Sequence, residues 1–458
     1  MTLLKKFERT LWILVELALY GILMWIFIIF LSQENPTLKI VTRTLGITVT
    51  TFAIVGVLFL SIYGQYDVGR RKSKPIIYSL ILAVFFTNIV TYIQLMIMNT
   101  VTTIAAFRLR GLELLFLAFI VQIIVIILFT YGGNALFFMW HKPEGCCIIT
   151  SSQESLDFVV QAIRKYKKQY RIKYIASYRD NEALIKMPKV DTMFVYDIPL
   201  ERRGELLRYC YDEKINVYFN PEIEDIVGTG ARYYFLDDVP MLNRNVKYLT
   251  MEQRIAKRII DIFFAVVLLI ATSPIWLVSA IAIKMYDGGS VFFKQKRATI
   301  NGKIFEVYKF RTMKENVVNK SVVEEDDRIT PPGKVLRKIR VDELPQFINV
   351  LKGDMSFVGP RPEMIENVEA YEEELPEFQY RLRVKAGLTG YAQIVGKYNT
   401  TPKDKLIMDM MYIEEFSIMR DIQLMFQTFI VLLKIDSTEA FSKRKTEIYT
   451  FPSVDEKE

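Results

Sequence analysis

Four long apolar runs, at 11–31, 45–64, 76–98 and 112–131, fill the first third of the chain. Each is close to the roughly 20 residues that a helix needs to cross a bilayer, so the pattern predicts four transmembrane helices within residues 1–141. The first run carries aromatic residues and has no small-residue cleavage pattern behind it, and reads as a helix rather than a cleaved signal peptide. Lys5, Lys6 and Arg9 precede it, and Arg70, Arg71, Lys72 and Lys74 separate the second run from the third, whereas the other two loops hold two basic residues each. That asymmetry puts both ends of the four-helix unit in the cytoplasm.

From 142 to 250 the texture changes. Short apolar runs ("CCIIT", "IKYIASY", "TMFVYDIP", "INVYFN") alternate with helical patterns such as "ESLDFVVQAIRKYKKQY", which predicts a small parallel α/β sheet of Rossmann-like type. The turn after the first strand reads "TSSQES" where a dinucleotide site would want G-x-G-x-x-G, and the "GTG" at 228–230 comes too late to replace it. A structural or regulatory role is expected for this domain.

A fifth apolar run, at 259–283, is interrupted by Ser273 and Pro274. Proline removes one helical hydrogen bond, and Ser273 is placed to satisfy the carbonyl that is freed. Arg254, Lys257 and Arg258 stand before the run, and Lys284, Lys294, Lys296 and Arg297 lead a basic stretch after it. With both flanks basic, a re-entrant helix over 257–284 is favoured over a kinked span. Beyond it, residues 251–440 form a mixed α/β domain in which "VFFKQKRATINGKIFEVYKFRTM" alternates like a β-hairpin around "NGK". The segment 420–435 has the pattern of an amphipathic surface helix, and 441–458 is a polar tail.

Composition narrows the chemistry. Apolar residues make up 51% of the 458, more than one soluble core requires, and Lys and Arg outnumber Asp and Glu by 59 to 51. Such an excess suits an anionic membrane face or a phosphorylated substrate. Cys146, Cys147 and Cys210 have no metal-ligand or disulfide spacing, and the single histidine, His141, abuts an apolar segment. Histidine-rich zinc sites are thereby excluded and a Ser-His-Asp triad is disfavoured. Carboxylates, lysines, arginines or a bound cofactor must do the work.

The acids that stand out are Asp342 and Glu343 in "RVDELPQFINVLKGDMSFVGPRP". With Asp342 as N-cap, Pro345 falls in the first helical turn and Gly353 ends the helix. Neighbours at i and i+1 face different ways, so the two acids suit two tasks rather than one shared proton. A capping acid followed by a first-turn acid is the plain reading. Arg361 between two prolines, Lys309 and Arg311 in "YKFRTM", and Lys397 at the end of the glycine-rich "KAGLTGYAQIVGKYN" add cations that match phosphate oxygens. Together they describe a diphosphate site.

These residues resemble a known family. "KRIID" (Lys257, Arg258, Asp261), the Ser273-Pro274 break, "YKFRTM", "DELPQFINVLKGDMSFVGPRP" and "GLTGYAQ" are similar to the bacterial sugar transferases that act as polyprenyl-phosphate phosphoglycosyl transferases, over about 251–440. The four helices and α/β domain in front resemble the large form of that family. The resemblance implies a Mg2+-dependent transfer of sugar 1-phosphate from a UDP-sugar to undecaprenyl phosphate, at the start of surface polysaccharide synthesis. It implies Asp342 as nucleophile, Glu343 in support of Mg2+, and Lys309, Arg361 and Arg337 on phosphate. It also implies a helix that enters one leaflet and returns, and a catalytic domain on the cytoplasmic face of a bacterial cell membrane. Membrane lipids are the expected surroundings, no nucleic-acid partner is expected, and homo-oligomerisation is left open. Lys397 stands where many relatives carry Arg, which keeps the charge and loses the planar fork. An inactive scaffold and an effector-sensing α/β domain are the competing readings.

Overall fold

The computed structural model describes residues 8–64, 66–69, 71–99, 109–166, 168–180, 182–244, 249–314, 327–396 and 400–433. Lys5, Lys6, Arg70, Lys397 and the 441–458 tail lie outside these residues. Two compact units divide the chain, with the break between Asn220 and Pro221.

The N-terminal unit opens with four helices, α1 (Glu8–Leu31), α2 (Arg43–Tyr63), α3 (Ser73–Asn99) and α4 (Leu112–Trp140). Each is long and apolar enough to cross a membrane, as the hydropathy pattern predicts. α3 packs against α2 and α4, and α1 against α4. His141 stacks on Phe137 at the end of α4.

A four-stranded parallel sheet follows, built from β1 (Glu144–Thr150), β2 (Tyr170–Ser177), β3 (Thr192–Tyr196) and β4 (Asn216–Phe219) in the order β2-β1-β3-β4. Helix α5 (Gln153–Arg164) lies between β1 and β2 in sequence, the short α6 (Ala183–Lys186) between β2 and β3, and α7 (Leu200–Asp212) between β3 and β4. Alternation along β1 gives each face its own core: Cys146 and Ile148 meet Leu156, Val159 and Val160 of α5, whereas Cys147 and Ile149 meet Leu206 and Cys210 of α7. All three cysteines are free and buried there, and burial pushes the Cys146 and Cys210 thiols up to about 11. Where a phosphate-binding turn would lie, the Ser152 side chain caps α5 and the Ser155 hydroxyl donates to the Asp197 carboxylate at 2.7 Å. An acid at that point disfavours an anionic ligand.

The C-terminal unit begins before the limit at 250 that the sequence pattern suggests. Helix α8 (Ile223–Thr229) buries Ile226 with Phe378, Leu406 and Met410, and Lys403 pairs with Glu222 at 2.6 Å. The β5 (Arg232–Leu236) and β6 (Val239–Asn243) hairpin follows, and Arg244 pairs with Glu414. These tertiary contacts have no periodic signal in the sequence.

Helix α9 (Met251–Asp287) runs unbroken through Pro274. The Ser273 hydroxyl donates to the Ile270 carbonyl at 2.8 Å, the acceptor that Pro274 leaves without its usual donor. Buried Lys257, Asp261, Ala265, Ser279 and Ile283 mark the face of α9 turned to its own unit, while Val267, Ile270 and Leu277 stay exposed on the rest. Next come the antiparallel β7 (Phe292–Ala298) and β8 (Ile304–Phe310), then α10 (Pro331–Lys338), α11 (Gln346–Lys352), β9 (Ser356–Val358), α12 (Ile365–Glu374), β10 (Gly387–Thr389), the short α13 (Tyr391–Ile394), α14 (Pro402–Glu414) and α15 (Ile418–Leu433). The hairpin turns at Asn301 and Gly302, both left-handed with φ 57° and 73°, as "NGK" predicts. A core of Ala265, Phe305, Val307, Phe347, Val350, Phe357 and Tyr412 ties α9, β8, α11, β9 and α14 together.

Candidate active site

Four pieces of chain converge on the acid pair. The first is β8, held to α11 by Asn349, whose side chain accepts from Tyr308 N at 2.9 Å and donates to the Glu306 carbonyl at 2.7 Å. That clamp sets Lys309, the next residue on the strand, opposite Glu343. The second is α10. Gly333 lies so close to the chain after β8 that a Cβ there would meet the Thr312 carbonyl oxygen at 2.2 Å. Arg337 then donates from Nε to the Thr312 hydroxyl at 2.8 Å.

The third piece is the acid turn itself. Asp342 does not cap a helix as the sequence suggests. Arg340 takes a left-handed conformation (φ 55°, ψ 24°) and turns the chain into a single 3-10 turn, Val341–Glu343, while α11 starts only after Pro345. Neither Arg340 nor Pro345 caps its turn with a side chain, and the Asp342 carboxyl takes a hydrogen bond from its own backbone N–H. Burial and the neighbouring Glu343 charge raise the Asp342 carboxyl above the ordinary aspartate range, against the opposing pull of Lys309 and Arg337. Glu343 goes the other way. Burial alone would raise it, but Lys309 Nζ at 2.9 Å and Arg361 Nη2 at 3.0 Å, both on Oε1, hold it well below the usual carboxylate range. The two acids are driven apart, which is how adjacent carboxyls acquire different roles.

The fourth piece carries Arg361. β9 and β10 pair in parallel, and Gly359 and Gly387 approach so closely that a Cβ on Gly387 would fall 2.1 Å from Gly359 N. The glycines of "GLTG" thus serve strand contact behind the "GPRP" turn. Arg381 donates to the Arg361 carbonyl at 2.8 Å and forms a buried ion pair with Asp409 at 2.8 Å. Arg297 donates to the Pro362 carbonyl at 3.1 Å. Sequence reasoning missed Asn349, Arg297, Arg381 and Asp409. A lone Asn inside "FINVL" and a lone Asp inside "MDM" were the available signals.

The flanks of α9 do more than supply basic charge beside an apolar run. Lys257 is buried, paired with Asp421, and donates to the Val358 carbonyl at 3.0 Å. Arg258 forks across the Val350 and Leu351 carbonyls at 2.6 Å each, at the C-terminal end of α11, and Asp261 accepts from Ser356 Oγ and Phe357 N at 3.0 Å. The start of α9 therefore fixes both the helix after the acid pair and the strand before Arg361. Arg311 pairs with Asp287 at the other end of α9 and is buried. It braces that end, whereas Lys309, Arg337 and Arg361 face the acids.

Asp342 and Glu343 are hard oxygen ligands, and no described side chain donates a hydrogen bond to the Asp342 carboxylate. No group of three His, Cys, Asp or Glu residues gathers among the described residues. A divalent cation of Mg2+ type fits such a pair, because it commonly takes one or two carboxylates and completes its shell with phosphate oxygens and water.

Residues 252–435 match the family described as bacterial sugar transferase. The exopolysaccharide production protein ExoY of Sinorhizobium fredii is 36% identical over 192 residues, 38% of this chain and 84% of that protein. The chain belongs to the bacterial sugar transferase family. Two longer relatives are the UDP-N-acetylgalactosamine-undecaprenyl-phosphate N-acetylgalactosaminephosphotransferase of Aeromonas hydrophila, 41% identical over 39% of this chain and 43% of its own length, and the UDP-glucose:undecaprenyl-phosphate glucose-1-phosphate transferase of Escherichia coli, 35% identical over 50% and 51%. The chain spans about half the length of these two relatives.

Proposed function

We propose that this protein transfers sugar 1-phosphate from a UDP-sugar to polyprenyl phosphate, undecaprenyl phosphate in the cell, through a phosphosugar carried on Asp342. The observation that carries the reading is the asymmetry of the acid pair: Glu343 is fixed by Lys309 and Arg361, while Asp342, one residue away, has no described side-chain donor on it. A carboxylate that no side chain holds, and that is raised in basicity, is the better nucleophile.

In the first half-reaction an Asp342 oxygen attacks the phosphorus that bears the sugar. The new bond forms as the bond to the bridging oxygen breaks, and that oxygen leaves with its electron pair on UMP. Lys309, Arg337 and Arg361 offset the charge that grows on the phosphoryl oxygens. In the second, a phosphate oxygen of the lipid attacks the same phosphorus and expels the Asp342 carboxylate. The product is a polyprenyl diphosphate sugar, and Asp342 is regenerated. Asp342 and Glu343 would hold Mg2+, whose chemistry is Lewis-acid neutralisation of diphosphate charge.

The lipid requires the reaction to take place at the membrane surface, since extracting a chain costs about 0.8 kcal/mol for each buried CH2. Lys257 and Arg258 at one end of α9 and Asp287 at the other make their contacts within the same unit, and the exposed apolar stretch between them is the part of the helix that meets the bilayer in this reading. The basic residues between and before the apolar runs support a location of the unit at the cytoplasmic face of a bacterial cell membrane.

The test is UMP release by purified protein in detergent, with Mg2+, undecaprenyl phosphate and a panel of UDP-sugars, alongside Asp342→Asn. One donor should support turnover, and the substitution should lower it by about 10⁴-fold or more, with a phosphosugar adduct on the Asp342 peptide of the wild type by mass spectrometry. Full activity in Asp342→Asn would overturn the nucleophile. Folded protein inert to every donor would overturn the reaction.

A further inference from the structure

Residues 222–244 precede the family match, which begins at 252, yet they contact helix α14 at its start, middle and end. At the start, Lys403 pairs with Glu222 at 2.6 Å. In the middle, Leu406, Ile407 and Met410 share a buried cluster with Ile226 of α8. At the end, Glu414 pairs with Arg244, the residue that follows the β5–β6 hairpin. The fit is close, since a Cβ on Gly230, where α8 stops, would overlap the Arg244 guanidinium. Glu222 and Asp225 form a capping box that fixes the start of α8.

Helix α14 also carries Lys405 and Asp409. Asp409 holds the buried Arg381, whose Nη2 donates to the Arg361 carbonyl at 2.8 Å, and Lys405 pairs at 3.3 Å with Glu363, two residues beyond Arg361. Phe378, in the same buried cluster as Ile226, lies 4.7 Å from the Arg381 guanidinium, face to cation. Two routes therefore lead from 222–244 to Arg381, an ionic one through Asp409 and a packed one through Phe378. From Arg381 they run on to the Arg361 that holds Glu343. A guanidinium grips an anion only in a narrow range of directions, so a small shift of its backbone loosens the grip.

We propose that residues 222–244 are a brace that positions Arg361: by fixing α14 and Phe378 they hold Arg381, and through it the "GPRP" turn, where Arg361 meets Glu343 and the reacting phosphate. The proposal rests on the reaction proposed above. Glu222, Ile226 and Arg244 are then positioning residues for turnover. Control of Arg361 falls to the segment by which the chain passes from the parallel sheet into the C-terminal unit.

The experiment uses the full chain in nanodiscs with Ile226→Ala, Arg244→Ala and Arg244→Lys, each in the wild-type and the Arg381→Ala backgrounds. Ile226→Ala and Arg244→Ala should lower kcat about tenfold and change the donor KM by less than about twofold, and Arg244→Lys should recover part of the loss. With Arg381→Ala, where the link is already cut, neither should lower kcat further. Amide hydrogen exchange should quicken in both variants over 357–364 and stay unchanged over β8. Wild-type kcat in both folded variants, or the same loss with and without Arg381, would overturn the brace. So would exchange that quickens equally over β8, which marks a general loss of stability. Should no UDP-sugar support turnover, the reaction fails, and the exchange measurement still decides the brace.

Discussion

In the N-terminal helices the buried polarity is neutral. Asn88 donates to Gln122 at 2.6 Å, and Gln122 donates to the Leu23 carbonyl at 2.8 Å, which joins α3, α4 and α1. In the C-terminal unit it is ionic: Lys257 pairs with Asp421 and Arg381 with Asp409, and nearer the surface the half-buried Glu343 pairs with Lys309 and the exposed Arg361. The difference follows from what each unit must hold still. Amides in an apolar layer need only saturate one another, at modest net gain. A site made of acids and facing cations needs charges at fixed positions, and an ion stays fixed inside a protein only when an opposite ion and backbone groups surround it. Two of the three ionic sets touch no acid of the site; they brace the strands and turns that present it.

The comparison makes unequal predictions. The largest concerns Lys257. Lys257→Ala leaves Asp421 buried without its counter-ion and should cost about 3–5 kcal/mol, read as a fall in the thermal midpoint in detergent. Lys257→Met with Asp421→Leu, which removes both charges, should recover much of that loss; a double variant as unstable as the single would break the ionic account. Next is Arg381. Arg381→Ala frees the Arg361 carbonyl and should lower kcat about 10- to 100-fold with a smaller change in donor KM, and Arg381→Lys should restore part of it. Equal loss in both parameters would make Arg381 a stability residue only.

Asp409 supplies a pH signature. Burial, partly countered by Arg381, raises its carboxyl to about 6, above the ordinary value near 3.9. Between about pH 4 and pH 6 the folded chain keeps a proton that the unfolded chain has lost, so the group's contribution to stability falls as pH rises through that window and is level above it. Thermal midpoints across the window should show this slope in the wild type and lose it in Asp409→Asn. The smallest effect is expected in the neutral set. Gln122→Leu should cost about 1 kcal/mol, and a loss several times larger would erase the contrast between the two units.

Much of this was legible in the chain. The apolar runs give the long helices because their length and uniformity leave few alternatives, and the four strands follow from short β-branched runs between helical patterns. "NGK" specifies its turn because Asn and Gly tolerate left-handed angles. The acid pair and the Arg361 turn stand out by chemistry. What misled was local reasoning about Asp342: the cap rule is sound, but Arg340 takes the left-handed conformation and displaces the helix start, which no single residue type announces. Lys257 and Arg258 likewise read as the basic flank of an apolar run until their partners, more than 90 residues away in sequence, are known.

By itself the sequence determined the elements, the family and the residues able to bear charge at the site, because these depend on length, periodicity and side-chain chemistry. Tertiary structure decided which acid is held by Lys309 and Arg361 and which is not, and which cations face the acids and which brace the fold. Those properties come from distances between segments far apart in the chain, and electrostatic interaction and desolvation depend on those distances rather than on sequence neighbours.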